Sequence, residues 1–241
     1  MTALLPSSDT IAERAAEVAA RIEAARASGA RPVTLVAVTK AFPVELVERA
    51  LAAGLVDLGE NYAQELVAKA ARLETAIGDR SPTVNSNAGP RWHFIGGLQR
   101  NKVKLVADQV HLWQTVDRRS LADEIAKRSP RAQVLIQVNT TGEEQKSGCE
   151  PAFAPELVEH ARSGGLDVRG LMTVGPTSGA IDPRPAFEML RVLAGRCEVD
   201  ELSMGMSNDF EVAVREGATM VRVGSALFGP RPTFAGPGAK E

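Results

Sequence analysis

The stretch Thr34-Leu35-Val36-Ala37-Val38-Thr39-Lys40-Ala41-Phe42-Pro43-Val44 decides the fold. Its first half is an apolar, β-branched run, the pattern of a strand covered on both faces. Pro43 suits the first position of a helix, and Gly54 suits the cap that closes it after Val44–Ala53. The strand brings a single amine, Lys40, to its C-terminal end. A strand feeding a helix in this way is one half of a βαβ unit.

The unit recurs. Eight β-rich runs each precede a helical pattern: Pro32–Val38, Leu55–Asn61, Arg91–Gly96, Leu112–Asp117, Gln133–Asn139, Val168–Val174, Glu201–Ser207 and Met220–Gly224. The helices carry their own punctuation. Pro155 and Gly164 bracket a helix near Glu156–Arg162. Ser120 reads as the capping serine of another. Asn208-Asp209-Phe210-Glu211 opens one that ends at Gly217. A leading helix starts with Thr10-Ile11-Ala12-Glu13, which reads as a capping box. Its Ile11, Ala15, Val18 and Ile22 share one face, so it packs across the barrel exterior or its bottom.

Eight units in 241 residues match a single (β/α)8 TIM-type barrel of about 250 residues with an extra N-terminal helix. A doubly wound open sheet usually has fewer strands, and no GxGxxG follows the first strand here. The reading assigns residues 1–230 to the barrel domain and 231–241 to a flexible tail. Gly78–Pro90 and Pro176–Pro185 read as loops.

Composition narrows the function. Hydrophobic residues make up 44%, charged residues 24%, and the net charge is −2. Lysines and arginines are scattered, which argues against nucleic acid and anionic membranes as partners. No apolar run approaches the ~20 residues of a membrane span. The N-terminus lacks the pattern of a signal peptide. Cys149 and Cys197 lie in no CxxC, as expected of reduced thiols in a cytoplasmic protein. His93, His111 and His160 lack metal-ligand spacing, so no metal is expected.

Functional groups of such a barrel gather where the strands end. Alone, Lys40 reads as a solvated strand-end lysine. In the apolar mouth of a barrel it becomes a partly desolvated nucleophile. Leu202-Ser203-Met204-Gly205-Met206-Ser207 and Val221-Arg222-Val223-Gly224-Ser225 place small polar residues in the seventh and eighth loops, the usual phosphate site. Two capped helices are the plain alternative. Arg222 alternates with Val221 and Val223, so it points opposite to them, either inward to a ring nitrogen or outward to an ion pair. Asn61 either walls the ring or caps the helix beginning near Tyr62. His93 reads as a core or supporting histidine. Lys146-Ser147-Gly148 reads as a solvated turn or a loop near the mouth.

Taken in order, Val36–Lys40, Gly59-Glu60-Asn61-Tyr62, Trp92-His93-Phe94-Ile95-Gly96, Leu98–Lys102, Lys146-Ser147-Gly148, Gly170-Leu171-Met172, Leu202–Ser207 and Met220–Gly224 resemble the pyridoxal phosphate homeostasis protein family. The resemblance implies a fold similar to the barrel domain of alanine racemase. It implies pyridoxal 5′-phosphate (PLP) as a Schiff base on Lys40 and Arg222 at the pyridine nitrogen. It implies phosphate contacts from Ser207, Gly224 and Ser225; with Asn61 and Ser203 from the strand-end reading, the expected cofactor set is Lys40, Asn61, Ser203, Ser207, Arg222, Gly224 and Ser225. It further implies a monomeric cytoplasmic carrier serving PLP-dependent apoenzymes, with no catalytic residues assigned. Gly97 and Arg100 depart from the family pattern in the third loop. Val44 stands where the racemases carry a tyrosine, which removes one phosphate hydrogen bond. A racemase also needs a second base opposite the lysine, and Tyr62, the sole tyrosine, sits poorly for it. The alternatives are a PLP-dependent racemase and, further off, an aldolase using Lys40 without PLP.

Overall fold

The computed structural model describes residues 5–78 and 89–230. Most of the loop expected at Gly78–Pro90, and the expected tail at 231–241, lie outside these residues. Eight parallel strands close into a barrel in sequence order. They are β1 Thr34–Val38, β2 Asp57–Glu60, β3 Arg91–Phe94, β4 Val110–Val116, β5 Gln133–Gln137, β6 Asp167–Met172, β7 Glu201–Ser203 and β8 Met220–Val223. Closure is made by β1 on β8, with Val36 opposite Arg222.

The helices are α1 Ser8–Ala25, α2 Val44–Ala52, α3 Ala63–Gly78, α4 Val103–Val106, α5 Arg119–Arg128, α6 Ala154–Ser163, α7 Arg184–Arg196, α8 Phe210–Arg215 and α9 Ser225–Phe228. α1 buries Ile11, Val18 and Ile22 and packs against α2, α8 and α9. It therefore lies on the exterior, across the seam where the barrel closes.

Several local readings are corrected. The cap of α1 is Ser7, whose hydroxyl accepts from the Thr10 N–H, rather than a box at Thr10. Pro43 is the N-cap residue of α2 rather than its first helical residue. α5 starts at Arg119, which places Ser120 inside the helix. β7 ends at Ser203, so Ser207 lies on the loop beyond it. The chain turns there at Gly205, whose φ of 91° cannot continue a strand.

Two apolar clusters result. The large one lies between strands and helices. A small one fills the barrel interior with Val36, Leu112, Leu135, Met172 and Met220. Along β8 the alternation is visible: Met220 belongs to the interior, while Val221 and Val223 face the helices. Arg222 therefore points inward. Among the described residues no helix is long and apolar enough to cross a membrane.

Candidate functional site at the barrel mouth

A cavity of about 510 Å3 opens at the C-terminal ends of the strands, within the range usual for small-molecule sites. Lys40, Asn61, Ser207, Arg222, Gly224 and Ser225 all line it. Ser203 lies beneath, bonded to Arg222.

Lys40 is half-buried. The next residue, Ala41, has φ 61°, a left-handed backbone that costs a non-glycine residue about 1 kcal/mol. Side chains behind the strand hold this turn. The Ala41 N–H donates to Glu65 Oε1 at 2.7 Å. Lys69 Nζ donates to Thr39 O at 2.8 Å, and to Glu60 Oε1 and Glu65 Oε1 at 2.6 Å each. Thr39 Oγ1 donates to Glu60 Oε1 at 2.6 Å. Both neighbours of Lys40 are thus tied to β2 and α3. Burial pushes the Glu60 carboxyl up to about 7 against the pull of Lys69. Its second oxygen is buried and has no hydrogen-bond partner among the described residues.

Arg222 is 4% exposed. Nη1 donates to Ser203 Oγ at 2.6 Å and Nη2 to Thr173 O at 2.7 Å. These use two of its five N–H groups. Burial pushes its pKa down to about 10, with Asp209 opposing; the guanidinium stays cationic at neutral pH. The outward ion pair considered from the sequence is thereby excluded.

The opposite end of the cavity is small and polar. Ser207 Oγ accepts from the N–H groups of Gly224 at 3.3 Å and Ala226 at 3.5 Å. A Cβ at Gly224 would lie 3.3 Å from Val38 O, which explains why glycine sits at this crossing. Among the described residues the buried Asn61 Oδ1 has no hydrogen-bond partner, so it does not cap α3. Its backbone is clamped by Gly96, where a Cβ would fall 2.2 Å from Asn61 O.

Lys146 is neither solvated nor loose. It donates to Glu143 Oε1 at 2.6 Å and to Gly175 O at 2.5 Å, joining the loops after β5 and β6. Glu143 also accepts from the Thr177 N–H and is held down at about 2, chiefly by Lys146. The wall formed by Pro176–Pro183 is braced in this way. His93 is 2% exposed and lies in the barrel interior.

The sequence does not point to Glu65, Lys69 or Gln114, nor to a role for Glu60; Thr173 is expected in the polar ring of strand ends, and its carbonyl accepts from Arg222. The available signal was a polar residue within a buried strand, as in Leu112-Trp113-Gln114-Thr115-Val116.

Comparisons agree with this architecture. Residues 14–232 match the family model of the alanine racemase N-terminal domain. A pyridoxal phosphate homeostasis protein of Pseudomonas aeruginosa is 43% identical, covering 92% of this chain and 96% of that protein. One from Aquifex aeolicus is 40% identical, covering 91% and 97%. The structure of PipY from Synechococcus elongatus with PLP bound matches with a TM-score of 0.73 at 30% identity, covering 91% of this chain and all of that one. Sequence, fold and length therefore agree: the chain belongs to the pyridoxal phosphate homeostasis proteins, within the family of the alanine racemase N-terminal domain.

Proposed function

We propose that this protein binds PLP at the barrel mouth as an intracellular carrier that helps balance the vitamin B6 pool. The observation that carries the reading is convergence. A half-buried lysine, a buried guanidinium and a cradle of hydroxyls and main-chain N–H groups line one cavity. Lys40 Nζ would hold the cofactor through its aldehyde carbon. Arg222 faces the ring nitrogen, with Ser203 behind it. Ser207, Gly224 and Ser225 take the phosphate. Asn61 Oδ1 has no hydrogen-bond partner among the described residues, which fits a ligand beside it.

When bound, the cofactor supplies an electron sink. Arg222 blunts it, because a permanently charged donor leaves a pyridine nitrogen unprotonated. Racemisation further requires a second base on the face opposite Lys40. Among the described residues, the cavity is lined by no tyrosine, histidine or cysteine. Tyr62 is 60% exposed and lies outside the lining. Asp209 is the one carboxylate there, and it accepts the Met206 N–H at 2.6 Å. These features support a carrier rather than a racemase. The proposal extends to a monomeric barrel of residues 1–230 in the cytoplasm, delivering PLP to apoenzymes.

An absorption spectrum tests it. The purified protein, mixed with PLP, is expected to show the visible band of a lysine–PLP linkage, and Lys40→Ala to lack it. A wild type that stays colourless with excess PLP ends the reading.

A further inference from the structure

A line of side chains runs through the barrel from the cavity to the opposite end. Arg222 Nη1 donates to Ser203 Oγ at 2.6 Å. Ser203 Oγ donates to Gln114 Oε1 at 2.6 Å. Gln114 Nε2 lies 2.8 Å from His93 Nδ1 and 2.9 Å from Met220 Sδ. His93 Nε2 lies 3.0 Å from Asp57 Oδ1. Asp57, the first residue of β2, is bound by Arg91 Nε at 2.7 Å. Ser203, Gln114 and His93 are all at most 2% exposed.

The donor sense of this line follows from the Gln114 amide, whose Nε2 meets His93 and whose Oε1 meets Ser203. Asp57 is a carboxylate, held well below the usual range by its bonds to His93 and Arg91 despite burial, so it only accepts. His93 must therefore present its proton on Nε2. Gln114 Nε2 faces Nδ1 and donates to it, so Nδ1 is the acceptor. That turns Oε1 toward Ser203 and draws its hydroxyl proton. Ser203 is left with lone pairs for Arg222. A flipped Gln114 amide would put its oxygen on Nδ1 and require a doubly protonated ring.

We propose that Asp57, His93 and Gln114 are positioning residues for Arg222: acting through Ser203, they orient the guanidinium at the cavity floor from the far end of the barrel. The consequence for PLP rests on Arg222 facing the ring nitrogen, as argued above. Nothing else in the cofactor reading requires this line, since Asp57 and His93 lie away from the cavity lining.

The test begins with the cofactor-free protein. Nitrogen-15 NMR of wild type is expected to find the His93 proton on Nε2 and none on Nδ1. The other tautomer, or a doubly protonated ring at neutral pH, overturns the proposal without any variant. The Arg222 Nε–H signal, assigned through its loss in Arg222→Lys, is expected to move in Gln114→Leu and in Asp57→Asn. A merely structural role lowers the melting temperature and leaves that signal in place, which also overturns the proposal.

PLP affinity then reads the consequence. Ser203→Ala and Asp57→Asn are each expected to raise the dissociation constant about tenfold, the equivalent of one lost charge-assisted hydrogen bond. The double variant is expected to be no more than about threefold worse than the weaker single one, because both act on one line. Effects that multiply to about a hundredfold mark two independent sites and refute the coupling. If the Arg222 signal moves but PLP affinity does not, the line holds Arg222 and it is the placement of PLP against Arg222 that fails.

Discussion

Lys69→Met is the sharpest probe of how the chain holds its amine. Lys69 is 4% exposed and spans three acceptors: Thr39 O, Glu60 Oε1 and Glu65 Oε1. Methionine fills similar volume without the charge. Removing one partner of a buried ion pair costs about 3–5 kcal/mol when the other charge has no escape. Glu60 has one. It titrates at about 7 with Lys69 present, and losing the ammonium drives it higher. Near pH 5.5 the variant therefore holds a neutral Glu60 and loses hydrogen bonds only, about 1–2 kcal/mol. At about pH 8 proton uptake is itself unfavourable, and the loss grows to about 3 kcal/mol. At roughly 2–4 °C per kcal/mol for a chain of this size, the melting temperature falls by about 6–12 °C at the higher pH. Urea unfolding of the cofactor-free protein at the two pH values measures this. Thr39 and Ala41 lose anchors on either side of Lys40, so PLP affinity falls as well. An equal loss at both pH values, or one below about 0.5 kcal/mol, refutes the reasoning.

Other outcomes follow from the same groups. Because the Glu60 carboxyl is raised from 4.5 to about 7, the folded state binds more protons than the unfolded one in that window. Wild-type stability is therefore expected to fall as pH rises from 4.5 to 7, by on the order of 3 kcal/mol, and Glu60→Gln to flatten the slope in urea titrations. Arg222→Met removes a buried cation that has no carboxylate in hydrogen-bond contact among the described residues. Relief of the desolvated charge opposes the lost donors to Ser203 and Thr173, so stability of the cofactor-free protein is expected to fall by no more than about 3 kcal/mol, while PLP affinity drops at least about tenfold. Burial pushes the Cys149 thiol up to about 12 and raises Cys197 as well, so neither is a ready thiolate. Mass spectrometry is expected to find both unalkylated by iodoacetamide in the folded protein at about pH 8, and rapid labelling would contradict this.

The barrel was legible because its signals are local and repeated. Each strand is a short apolar run, each helix carries a cap or a glycine, and eight copies leave few topologies. The lining residues followed from the rule that barrel sites gather at strand ends. Strand limits were less legible. The run to Ser207 looks continuous, yet the ladder stops at Ser203, because Gly205 takes a positive φ. The supporting residues were hidden for a different reason. Glu60, Lys69 and Thr39 meet across 30 positions of sequence, and Gln114 reaches Ser203 across 89. No periodicity links such pairs; only the closed ring of strands brings them together.

The interior of this barrel follows from what it must hold. Among the described residues its apolar filling comprises five buried side chains. The rest of the axis carries Gln114, His93, Ser203 and Arg222, all buried. Buried polar groups contribute little net stability compared with an apolar layer, and each costs about 1–3 kcal/mol if its partner is lost. Filling the interior with Leu and Val would be the more stable solution. What the polar line provides is a cation held at one orientation without a carboxylate bonded to it. A carboxylate bonded to Arg222 would satisfy it internally and divert it from the cavity. A serine hydroxyl and a backbone carbonyl bear no net charge. They hold the guanidinium in place and leave its charge directed at the mouth. A cation so held suits a floor that must face an aromatic nitrogen without protonating it. The same choice that weakens the barrel's core thus accords with the proposed placement of PLP, in which Arg222 meets the ring nitrogen without protonating it.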